Sequence, residues 1–111
     1  MRMFNEAGFP IELGDPPHVI HHHAPGPHEG VQTIMLPDPC KIIGFFQNGH
    51  GTPAIYYVRP ENTTNIKSRR FIVMGTGWNF PTLDDDDLAT HIGTCRDYIG
   101  GVWHCFEIIK I

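Results

Sequence analysis

Four of the chain's eight histidines fall within the stretch HVIHHHAP at residues 18–25. Imidazole is a common ligand of zinc and related ions, so the first chemistry to weigh here is metal binding. On an extended strand successive side chains alternate. Val19, His21 and His23 then share one face, and His18, Ile20 and His22 share the other. His21 and His23 form a His-x-His pair able to reach one ion, zinc being the natural candidate. Such a site needs a third ligand, and His28, His104 or Cys105 supplies one only if the fold brings it near. Alternatively, an edge strand carries these histidines on a solvated face, where they discourage edge-to-edge pairing. No other cofactor is suggested.

Three further stretches carry chemistry-bearing residues. Arg69 and Arg70 are adjacent, so on a strand their guanidiniums diverge and cannot clamp one anion together. Arg69 with Lys67 could hold an acidic partner or a nucleotide phosphate; cross-strand ion pairs with Glu61 or Asp97 are the structural alternative. Asp84 to Asp87 form an acidic run without the glycine-containing ligand spacing of a calcium loop, which suits a solvated turn. GTGWNFP at 75–81 lacks the phosphate-loop frame, and its glycines suit a bulge or sharp turn at a strand end. Trp78 beside them either covers one end of the domain or serves recognition.

Catalysis finds little footing. Strand alternation separates His104 from Cys105 and from Glu107. His104 could approach Asp97 across a hairpin, but no motif sets a nucleophile beside them. Ser68 is the chain's only serine. No catalytic residue is assigned, and the chain is not expected to be an enzyme.

These residues must be positioned by short elements, because twelve glycines and ten prolines break up the 111 residues. The first seventeen read as an irregular arm. Seven strand-like runs follow: 18–23, 31–37, 40–48, 54–60, 69–77, 90–98 and 102–111. They are rich in Val, Ile, Phe and Tyr and are separated by turn-forming segments. Asn48-Gly49 and Gly100-Gly101 mark hairpins. The runs at 69–74 and 102–109 are apolar on both faces, as central strands covered on both sides would be. One short helix is conceivable at 82–91, with aspartates at its start.

The composition is 41% hydrophobic and 18% charged with a formal net charge of −4, which fits one folded domain. An acidic balance disfavours nucleic-acid binding, and no run is long and apolar enough for a membrane span. Cys40, Cys95 and Cys105 are an odd set without a paired motif, which points to reduced thiols and a cytoplasmic setting.

The segments SRRFIVMGTGWNFP (68–81) and HIGTCRDYIGGVWHCFE (91–107) resemble a small domain family of unknown function found mainly in bacteriophage and prophage genomes. The matching positions are Arg69, Arg70, Phe71, Gly75, Thr76, Gly77, Gly93, Thr94, Val102, Trp103, His104, Phe106 and Glu107. HVIHHH, VQTIMLP and CKIIGFF are similar to the family's opening strands. The arm at 1–17 has no counterpart, and the His triplet is denser than in the family.

The resemblance implies a β fold and a phage-like origin, in the cytoplasm of a bacterial host, without supplying a mechanism. The expectation is therefore an all-β domain at 18–111, a small antiparallel barrel or sandwich of six or seven strands, preceded by the arm. As an accessory protein it would bind a host or phage protein, inhibition of host defence being one use. Two alternatives remain: a binder of a small nucleotide-like ligand through Arg69, Arg70 and Trp78, and a metal module on His21 and His23. Exposed edge strands would also allow a homodimer.

Overall fold

The computed structural model describes residues 2–4, 10–12, 18–26 and 28–111. Within the arm, β1 (Arg2–Phe4) pairs antiparallel with β2 (Pro10–Glu12); the rest of the arm lies outside the described residues. Seven further strands follow: β3 (His18–His23), β4 (Gln32–Pro37), β5 (Lys41–Gln47), β6 (Pro53–Pro60), β7 (Ile66–Gly75), β8 (Asp87–Arg96) and β9 (Val102–Lys110). They form two antiparallel sheets, of order β3-β6-β5 and β4-β7-β9-β8. The architecture is an open sandwich and not a closed barrel, with no helix among the described residues.

The alternation read from the sequence explains the packing. Ile34, Leu36, Phe71, Val73 and Cys105 face inward from the larger sheet and meet Phe45 and Ile55 of the smaller one. Where β5 crosses β8, Gly93 makes the approach possible: a Cβ there would stand 3.0 Å from that of Phe45. The opposite face of the larger sheet is apolar too, through Ile72, Met74 and Ile108.

Topology dictates what covers that second face. β7 and β8 both pair antiparallel with β9, so they run parallel to each other and need a crossover. Residues 76–86 provide it as an irregular strap, whose Phe80 and Leu83 pack on Phe106 and the Ile72–Ile108 cluster. The helix conceivable at 82–91 is replaced by a turn and the start of β8. Asp87 N–H donates to the Asp84 carbonyl at 3.0 Å, and Asp84 N–H to Asp87 Oδ2 at 3.1 Å. From Asp87 onward the backbone pairs with β9, and cross-strand hydrogen bonds outcompete a one-turn helix.

Candidate functional site

One end of the sandwich gathers Trp78, Phe80 and Tyr98, the exposed large aromatic residues among those described. Its outermost part is the β8–β9 hairpin, where the Asp97 carboxylate accepts hydrogen bonds from Ile99 N–H (3.0 Å), Gly101 N–H (2.8 Å) and Trp103 Nε1–H (2.9 Å). The indole bond, followed by the backbone N–H groups, holds the Asp97 carboxyl below the usual range. The β5–β6 turn locks onto the tip: Tyr98 N–H donates to the Gly51 carbonyl at 2.9 Å. Gly51 has φ +77°, and a Cβ there would lie 2.6 Å from Tyr98 Cβ, so only glycine fits without strain. The tip so fixed carries Tyr98 and Ile99 at 76% and 77% exposure. A hollow of about 210 Å³ opens at its foot, bounded by Pro25, Pro53, Val73, Tyr98 and Trp103.

The strap continues this surface. Trp78 packs edge-on against Trp103 (ring centres 5.4 Å apart, planes at 88°), and Phe80 meets Phe106 in the same manner (5.1 Å, 86°). Both rings are braced from behind yet remain exposed. Between the strap and the 28–30 loop runs a groove of about 550 Å³, floored by Ile72 and Met74. Of the two roles the sequence offered Trp78, the structure shows the covering one, over Trp103; Trp78 also lines this groove.

A chain of hydrogen bonds crosses the same face. His104 Nε2 contacts Thr76 Oγ1 at 2.7 Å, its Nδ1 contacts Thr94 Oγ1 at 2.9 Å, and Thr94 Oγ1 reaches His91 Nε2 at 3.0 Å. One hydroxyl within hydrogen-bond distance of two imidazole nitrogens couples the rings: its single proton can go to only one of them, so at least one nitrogen must donate. The approach of His104 to Asp97 that a hairpin would allow does not occur: that carboxylate accepts from Trp103, and His104 bonds Thr76 and Thr94. The Gly-Thr-Gly, Ile-Gly-Thr and Val-Trp-His segments, far apart in sequence, thus converge through Thr76, Thr94 and His104.

The nominated cations sit at the other end and on opposite faces. Arg69 forms a bidentate pair with Glu107 (Nε–Oε2 2.6 Å, Nη2–Oε1 2.7 Å), and its Nη1 reaches Cys40 Sγ at 3.3 Å. With Lys67 it lines a groove of about 490 Å³. Arg70 pairs with Asp87 at 2.7 Å across the outer face. The expected partners Glu61 and Asp97 are therefore replaced by Glu107, a diagonal neighbour of Arg69 on the adjacent strand β9, and by Asp87, which reaches Arg70 from β8 across β9. Arg69, Arg70 and Trp78 share no single surface.

The acidic run is likewise occupied. Asp84, Asp86 and Asp87 could converge on a metal ion, but Lys110 Nζ lies among them at 3.2, 3.0 and 2.9 Å. The Arg70 and Lys110 bonds hold the Asp87 carboxyl well below the usual range. His21 and His23 lie on one face of β3, exposed, with His21 stacked on Tyr57 at 6.0 Å. Neither joins a cluster of three potential ligands among the described residues.

Sequence reasoning passed over Tyr98, Ile99 and the anchoring role of Asp97. The signal was the spacing: an aspartate, two large residues, then Gly100-Gly101 form a self-capping turn that must present its middle residues outward. Glu107 was missed because its partner is a diagonal neighbour across two strands.

The fold and this end define a class: a small open β-sandwich with exposed aromatic residues at one end. More particularly, the chain belongs to the family of a domain of unknown function, DUF7352, whose model matches residues 17–110. No curated protein and no solved structure matches it.

Proposed function

We propose that this domain works by docking onto another protein through its aromatic end, as a phage-like accessory protein, and not by catalysis. The partner would be a host or phage protein, and blocking a host defence protein is one purpose such a contact would serve. One observation carries the reading: Tyr98 and Ile99 are three-quarters exposed on a turn that Asp97 and Gly51 hold rigid. Leaving large apolar side chains in water gains nothing for folding. A rigid tip, however, loses little conformational entropy on binding, and aromatic residues dominate interface energetics. Trp78 and Phe80 extend the same apolar surface.

The test is affinity capture from host lysate with the native chain and with Tyr98→Ala/Ile99→Ala. The expected result is one stoichiometric partner retained by the native chain and lost by the variant. A blank with the native chain, or equal retention by both, would contradict the reading.

A further inference from the structure

We propose that the groove between the strap and the 28–30 loop receives an arginine side chain of the docked partner. The inference rests on the docking role of this end and names the chemistry that anchors it. Ile72 and Met74 give an apolar floor, buried at 1% and 8% exposure, while Trp78 and Phe80 form a wall at 42% and 45%. Because each wall ring is braced near-perpendicularly by a second ring, the aromatic surface stands ready before any ligand arrives. Among the described residues lining the groove, Glu29 alone carries a formal charge at neutral pH.

That charge selects the occupant. A purely apolar group would strip water from the Glu29 carboxylate without replacing its hydrogen bonds, and an anion would meet direct repulsion. A cation with an apolar stem satisfies floor, wall and carboxylate together. Guanidinium does so better than ammonium: it is planar, weakly hydrated, stacks on aromatic rings and pairs with a carboxylate through two parallel bonds. Met74 adds a polarisable thioether beneath the stem. Arg70 and Lys110 are bound to the acidic run and Arg69 to Glu107, so these three cations do not compete for the groove.

The experiment titrates the isotopically labelled full chain with acetyl-Gly-Arg-Gly-amide, followed by NMR, with the uncharged citrulline tripeptide as comparison. The expected result is a saturable, millimolar-range shift of the Trp78 indole N–H. It should be weakened about fivefold or more in Glu29→Gln, with little response to citrulline. Glu29 is exposed, so this variant keeps its fold. No saturable shift, an equal response to citrulline, or unchanged affinity in Glu29→Gln would overturn the inference. If the tripeptide is silent while Tyr98→Ala/Ile99→Ala still loses its protein partner, the arginine site falls and docking stands. If the tripeptide binds but no partner is captured, docking falls and the proposal of a partner's arginine falls with it.

Discussion

The two ends of the larger sheet use their side chains in opposite ways. At one end three cations are answered within the chain: Arg69 by Glu107, Arg70 by Asp87, and Lys110 by Asp84, Asp86 and Asp87. At the other, the polar groups are also satisfied, but they hold apolar residues out in solvent. A charge already neutralised at close range has little left to offer a ligand. An exposed ring held rigid still has all of its surface to bury. The ionic end exposes Ile66, Leu88, Ile109 and Ile111 as well, so what sets the aromatic end apart is that Tyr98 and Ile99 are carried on a hydrogen-bonded turn.

The largest expected effect lies at the ionic end. Replacing Arg69 by Met strands Glu107, whose side chain is 11% exposed, and should cost about 3–5 kcal/mol in urea unfolding. Arg69→Met/Glu107→Leu should recover most of that loss, because matched apolar groups replace both charges at once. A single variant within about 1 kcal/mol of the native chain would dissolve the contrast between the ends.

A smaller cost is expected where the aromatic end is pinned. Gly51→Ala places a Cβ at positive φ and against Tyr98, a strain of about 1–3 kcal/mol, again read by urea unfolding. It should also loosen the tip, seen as faster amide exchange at Tyr98, whose N–H is bound to Gly51. Unchanged exchange would mean the β5–β6 turn does not brace the hairpin.

Acid sharpens the comparison further. Asp87 and Asp97 titrate below the ordinary 3.8, Asp87 the more strongly. With the folded-state value depressed, the stability each confers is fully present above the unfolded value and is lost as pH falls through the lower, folded one. Acid unfolding should therefore begin below about pH 4, and Asp87→Asn should flatten it more than Asp97→Asn does. An equal effect of the two substitutions would contradict the stronger ionic coupling.

The smallest effect concerns thiols. Burial, reinforced by the Glu107 charge, pushes the Cys105 thiol up to about 12, and burial also raises Cys40 despite Arg69 beside it. Iodoacetamide at pH 8 should leave Cys105 unmodified until the chain unfolds. Labelling in the native state would show that the inter-sheet core opens readily.

How much was legible in the sequence differs between the strands and the site. Strand positions followed from alternation in segments such as Arg69–Met74, because a period of two is a local property. The acidic run at 84–87 forms the turn its residues suggested, but the short helix conceivable beside it does not form, because pairing with β9 claims the chain from Asp87 onward. Arg69 and Lys67 drew attention as cations, yet whether a charge is free depends on a partner thirty or more residues away, as Glu107 shows. Tyr98 and Ile99 looked like ordinary strand-end residues, because the turn that presents them is set by the Asp97 carboxylate bonding back to the Ile99 and Gly101 N–H groups.

The central claim is that contact with a partner belongs to the aromatic end. The most direct measurement compares partner affinity for Tyr98→Ala/Ile99→Ala and for Lys67→Ala, by calorimetry with the captured partner. Both substitutions are at exposed positions and should leave stability within about 0.5 kcal/mol. The aromatic-end variant should lose about tenfold or more in affinity, while Lys67→Ala binds like the native chain. The reverse pattern, affinity lost with Lys67 and kept without Tyr98 and Ile99, would contradict the account.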